Sequence, residues 1–276
     1  MANTIIRPEI FAKEVIRNRD KKNVFYNYAN SAYTGELKMA WDTVTVQTLP
    51  TLSFVSGWTA WDAITATDFT ITSESLVIDK VAQLRVTIKD IEKVQSNLSL
   101  ESKVAERFAV AEANLLDDVI LNEIIYTQFA AIDAVGNIIP AITAWKTTLF
   151  TAIENLKVKL ANQNVSDSIV AFVSPQDASY IRQEGILDNS DSWLAIRQKG
   201  YMGMVSGIKI VESTALTGKK KIVAMQEGAV NCVVQLNKYD VRQGVDGFYE
   251  NLLAEIIWWV DTFGENVKAI AIQLEA

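Results

Sequence analysis

An α+β fold is predicted by three features of this sequence. One long amphipathic helix lies near its middle, period-two alternation flanks that helix, and helical and strand patterns interleave in a compact stretch after it. Over residues 100–131 no proline or glycine breaks the helical pattern. Val104, Phe108, Ala111, Leu115, Val119, Tyr126 and Phe129 fall at helical spacing and predict one apolar stripe. At 1.5 Å per residue the helix would be roughly 48 Å long. Asn97 or Ser99 caps its start, with Glu101 in the first turn. A helix of this length is either a strut for contacts beyond its own subunit or a long core helix of an ordinary domain.

Taken in order, residues 1–34 form a polar arm carrying Arg7, Lys13, Arg17, Arg19, Lys21 and Lys22, with a short helix over 9–16. Residues 35–90 have the composition of β-structure. The run DTVTV at 42–46 alternates, then Phe69 and Ile71, then Leu84, Val86 and Ile88. Pro50, Gly57, Trp58 and Trp61 mark a turn region between them. This segment has too few large apolar residues to build its own core. Gly136, Asn137 and Pro140 end the long helix. Residues 143–237 follow as a mixed domain. Trp145, Leu149, Ile153, Leu156 and Leu160 share one helix face, and 168–173 reads as a buried strand. Ser174 is an N-cap, with Pro175 at the first helical position and Asp177 closing a capping box. Residues 185–200 form a polar loop with Trp193, and the small residues at 203–207 continue as loop. Strands are expected at 207–211, 221–225, 229–236, 252–260 and 269–274, with a turn at 263–266.

The chain of 276 residues is long enough for a substantial core, with 49% hydrophobic and 21% charged residues. A net charge of -7 and a pI near 4.9 argue against a dedicated nucleic-acid binder. Cys232 stands alone in an apolar run, so no internal disulfide forms and it reads as a small buried hydrophobe. No signal peptide or membrane span is recognisable, which predicts a soluble protein of a reducing cytoplasm. The sequence holds no histidine. That removes the commonest general base and metal ligand, so no catalytic, cofactor or metal site is expected. Asp117, Asp118 and Glu123 are the nearest carboxylate candidates. Asp117 and Asp118 are adjacent on a helix and diverge by about 100°, so they read as a solvated face. The Gly218-Lys219 pair has no glycine five residues before it and reads as a turn.

The order of these parts resembles the major capsid proteins of tailed bacteriophages, with the Hong Kong 97-type fold. The similar runs are DTVTV at 42–46, LVIDK at 76–80 leading through VTIKDIEKVQS at 86–96, and LLDD at 115–118 on the helix. VAFVSPQD at 170–177, GMVSGIKIVES at 203–213 and EGA at 227–229 complete the series. The resemblance implies an N-terminal arm (1–34), an extended E-loop with a leading strand (35–90), a P-domain spine helix (91–142), an A-domain (143–237) and closing P-domain strands (238–276). It implies a non-enzymatic protein that self-assembles as hexameric and pentameric capsomers into an icosahedral shell around double-stranded DNA, held by loose non-specific contact. Implied partners are a portal protein and a decoration protein, and the arm's start at Met1 points to a separate scaffolding protein. The implied location is the virion, after assembly in the host bacterial cytoplasm. A nanocompartment shell of the encapsulin type, enclosing enzymes, is the alternative. A lysine cross-link from the E-loop is not expected, because no lysine lies between Lys38 and Lys80.

The residues themselves fit a shell protein. An arm and a β-loop without cores should bury apolar side chains on neighbours, and Trp41, Phe54, Trp58 and Trp61 are candidate anchors, with Trp193 of the later loop a further interface candidate. The other possibility is that these rings fold back on their own chain. Between Met39 and Asp79 every charge is acidic: Asp42, Asp62, Asp68, Glu74 and Asp79. Arg17, Arg19, Lys21 and Lys22 carry the opposite sign, so either arm and loop meet between subunits as complementary clusters or the two are separately solvated faces.

Overall fold

In a computed structural model, the described residues form two sheets, a two-stranded ribbon and a long central helix. The structure describes residues 24–32, 43–48, 72–77, 80–89, 100–142, 145–184, 201–219, 221–243, 249–264 and 266–275. The ribbon pairs β1 (Thr43–Thr48) with β2 (Thr72–Val77) in antiparallel register, Thr43 opposite Val77 and Thr48 opposite Thr72. β3 (Lys80–Lys89) follows and is the edge of a three-stranded antiparallel sheet. Its centre is β10 (Tyr249–Asp261) and its far edge β9 (Asn231–Gln243), with a register shift between Glu255 and Ile256.

The long helix is not one uninterrupted α-helix. α1 (Leu100–Asn122) gives way to a π-turn over Glu123–Thr127, after which α2 (Phe129–Ala134) resumes. The Gln128 amide donates to the Glu123 carbonyl five residues back at 2.9 Å, which is the π spacing. Gly136, at φ +75°, ends the run as expected. The stripe is also phased differently. Phe108 is buried and Val104 packs beside it, but Ala111 and Tyr126 face solvent. The buried set is Ala109, Ala113, Leu116, Ile120, Leu121, Ile124 and Ile125. The N-terminal half packs on the three-stranded sheet through Ile88, Leu252 and Ala254. The C-terminal half packs in a core shared by Cys232, Val234, Ile256 and Val260 of that sheet and by a second sheet, so the buried face rotates along the helix.

That second sheet has six strands, in the order β4-β11-β8-β5-β7-β6. They are β4 (Ile138–Ile142), β11 (Ile270–Glu275), β8 (Lys221–Gln226), β5 (Ile169–Val173), β7 (Ile208–Glu212) and β6 (Tyr201–Val205). Pairing is parallel at β4/β11 and β5/β7 and antiparallel elsewhere. Both faces are covered. Val170, Phe172, Val223, Met225, Ile270 and Ile272 face the core shared with Leu116, Ile120 and Ile124. Ala171, Val173, Ile208, Ile210, Ile222 and Ala224 face α3 (Trp145–Asn162) through Leu149, Ile153, Leu156 and Leu160. Two-sided burial makes β5 apolar at every position rather than alternating. α4 (Pro175–Glu184) begins where the capping box was read. Ser174 Oγ accepts from the Asp177 amide at 3.1 Å and donates to Asp177 Oδ2 at 2.8 Å.

Two strands appear where none was expected. Pro140 lies inside β4, tolerated because β4 is an edge strand of its sheet. The segment 203–207, read as loop, holds most of β6. Ser206 (φ 51°) and Gly207 (φ 82°) form the tight turn that joins β6 to β7 in a hairpin. Cys232 is fully buried, as expected.

Candidate assembly surface

A short segment ahead of the ribbon is buckled onto the core. Phe25 is fully buried and stacks on Phe172 of β5, centroids 4.0 Å apart at 21°. Tyr28 meets the same ring edge-on at 5.7 Å. Beyond it, the Asn30 amide donates to the Val230 carbonyl at 2.8 Å, and the Cys232 amide donates to the Asn30 carbonyl at 2.9 Å. Asn30 Nδ2 also donates to Asn231 Oδ1 at 2.8 Å. The other end is held by Asp117. Its carboxylate accepts the amides of Val24 (3.0 Å), Phe25 (2.9 Å) and Tyr26 (3.4 Å), groups more than ninety residues away in sequence.

Asp117 is therefore not on a solvated face, and neither is Glu123; both are buried, whereas Asp118 is exposed. Burial pushes the Asp117 carboxyl up to about 6 against the opposing pull of the three amides, with a smaller upward push from Asp118. Glu123 Oε1 accepts from Gln128 Nε2 at 2.9 Å, and the same amide reaches Asp261 Oδ1 at 3.2 Å. The helical pattern placed these residues correctly in sequence but could not show that a distant segment and β10 would cover them. Among the described residues no three or more Asp, Glu or Cys side chains converge in a metal-binding group.

The exposed apolar side chains mark where further contact is possible. On α3, Phe150 is 46% and Val158 54% exposed, opposite the face that packs on the sheet. On β3, Val81 is 49% exposed. Leu84 lines an open cleft of about 270 Å³ together with Phe108, Ala111, Leu115, Ala254 and Ile256. Tyr126, on the π-turn, is 67% exposed and is flanked by Lys219 and Lys221 at 5.9 and 5.8 Å from its ring centroid. Sequence reading missed this cluster because Tyr126 fits an apolar stripe and the lysines fit a turn.

The interface residues expected from the sequence do not enter this geometry. Arg17, Arg19, Lys21, Lys22, Trp41, Asp42, Phe54, Trp58, Trp61, Asp62, Asp68 and Trp193 all lie outside the described residues. So do the short helix at 9–16, the Phe69 and Ile71 positions and the loop at 185–200.

No protein-family model matches the sequence, and no curated protein matches it. Solved structures match over nearly the whole chain. A chain of Mycobacterium phage Che8 is 22% identical, with a TM-score of 0.66, over 91% of this chain and 91% of its own. A chain from the capsid structure of the cyanophage P-SCSP1u is 14% identical, with a TM-score of 0.63, over 93% and 89%. A chain of the virus-like particle from Pyrococcus furiosus is 11% identical, with a TM-score of 0.60, over 96% and 98%. This chain has the α+β fold of those phage, capsid and virus-like-particle chains.

Proposed function

We propose that this chain is the major capsid protein of a tailed bacteriophage, the repeating subunit of an icosahedral shell around double-stranded DNA. The observation that carries the reading is the end-to-end match in fold, about nine-tenths of both chains, to structures described as a phage and a phage capsid. The layout supports it. A shell subunit needs a rigid body and projecting parts that bind neighbours, and no chemistry. The six-stranded sheet with both faces covered supplies the body. The β1–β2 ribbon is the projecting part, since a lone two-stranded ribbon is marginal in water.

On this reading residues 1–34 are the arm, 35–90 the E-loop and leading strand, 91–142 the spine, 143–237 the A-domain and 238–276 the closing strands. The role is structural rather than enzymatic, with hexameric and pentameric capsomers as its working units. Scaffolding, portal and decoration proteins are its partners, the host cytoplasm its assembly site and the virion its destination. The match to the virus-like particle from Pyrococcus furiosus supports the shell in general. A second reading is a shell enclosing enzyme cargo. Negative-stain imaging of the purified chain tests the shared claim, with closed shells or capsomer rings expected. A small oligomer with no larger assembly would remove both readings. Particles carrying nuclease-protected DNA separate the first reading from the second, in which an enzyme co-purifies.

A further inference from the structure

We propose that Lys219 and Lys221, held against Tyr126 and Phe129, form the receiving site for the acidic stretch 42–79 of a second copy of this chain. The proposal rests on the shell reading only in requiring self-association.

The cluster is organised before any partner arrives. The π-turn brings Tyr126 to the surface. Lys219 Nζ lies 5.9 Å from its ring centroid and donates to Asn122 Oδ1 at 3.2 Å. Lys221 Nζ lies 5.8 Å from the Tyr126 centroid and 5.0 Å from that of Phe129. Two ammonium groups are thus held on aromatic faces instead of ranging through solvent. Among the described residues, no carboxylate is ion-paired with either lysine. Burial, and then the charge of Lys219, lower the proton affinity of Lys221. An anion placed between the two would relieve the like-charge repulsion.

The geometry selects among anions. A single-stranded nucleic acid would stack bases on the rings, but those rings already carry the ammonium groups. A carboxylate needs only the outward N–H bonds of the lysines. The chain itself carries net charge -7, and its stretch 42–79 holds Asp42, Asp62, Asp68, Glu74 and Asp79 with no cation. That stretch includes the β1–β2 ribbon, which needs a supporting surface. Donor and receiver lie on different parts of the chain, so the contact is head-to-tail and builds a ring where the rotation between copies closes and an open chain where it does not.

Sedimentation of the full-length chain at low and high ionic strength tests the site. Wild type should self-associate more strongly at low salt. K219E/K221E should weaken that association roughly tenfold, as two exposed ion pairs allow. K219R/K221R should retain it, and adding D62K/D68K to the K219E/K221E variant should restore it. An unchanged melting temperature in each variant separates lost docking from lost folding. The proposal is overturned if wild type does not self-associate, if K219E/K221E associates like wild type, or if the reversed loop fails to restore it. It is also overturned if R17E/R19E/K21E alone abolishes the salt dependence, since the arm would then be the receiver. Loss of duplex DNA retention without loss of association would identify nucleic acid as the partner, with the same consequence. Imaging the same samples keeps the two readings apart. Small oligomers that depend on the lysines would sink the shell reading alone, while normal shells from K219E/K221E would sink this site alone.

Discussion

Asp117 shows how one side chain can be misjudged from its neighbours in sequence and understood from its neighbours in space. Its pairing with Asp118 suggested solvent, yet it holds three amides of the segment around Phe25. With its carboxyl raised from 3.8 to about 6, the folded state binds the proton more tightly than the unfolded chain. The stabilisation from this group is therefore complete below the unfolded value and lost as pH rises through about 6. Between pH 5 and 7.5 that amounts to about 1 kcal/mol. Asp117→Asn should flatten the urea-midpoint difference between these pH values by that amount; Asp261, which burial also raises, keeps its own contribution. An Asn variant with the full wild-type slope would show that Asp117 does not titrate there. Ser174 is the opposite case, legible from its motif alone. Ser174→Ala removes the cap on the Asp177 amide and should cost about 1 kcal/mol in denaturant unfolding. Particle formation by that variant should be unchanged; an assembly defect at unchanged stability would mean that Ser174 contacts a partner.

Elements were legible in proportion to how simply they are buried. β3, β7 and β10 have patterns that one-residue-at-a-time reasoning can follow, and α3 packs one face on one sheet. β5 was recognised from its continuous apolar run. α1 is misphased by its sequence pattern, because its C-terminal half packs against a second sheet as well as the first and no single stripe describes both halves. The π-turn left no sequence mark, since Glu-Ile-Ile-Tyr-Thr suits an α-helix equally well. β4 and β6 were hidden by residues that ordinarily break strands. Pro140 lies on an edge, and Gly203 of β6 belongs to an edge strand with a register shift. The ribbon carries the element-scale prediction. Deleting residues 50–66, between β1 and β2, should leave the melting temperature within a few degrees, because the segment 35–90 has too few large apolar residues to build a core of its own. It should abolish closed particles in electron micrographs. Normal particles from the deletion variant would show that this segment is not an intersubunit loop.

At the scale of the whole molecule, the six-stranded sheet divides the interior. Leu116, Ile120 and Ile124 lie against one face, and Leu149, Ile153 and Leu156 against the other. Among the described residues the two clusters have only the half-buried Val165 as a common neighbour, so damage on one side should be felt little as altered packing on the other. Ile120→Val and Ile153→Val should each cost about 1 kcal/mol, and the double variant should cost their sum to within about 0.5 kcal/mol. Ile120→Val combined with Val260→Ala, within one cluster, should depart from additivity. A large coupling energy across the sheet would mean that strain passes through β5 and β8. If the two faces are independent, substitutions can accumulate on each without correction on the other. The sheet would then be a mutational firewall, letting the two halves of the interior drift separately in sequence while the backbone between them keeps its course.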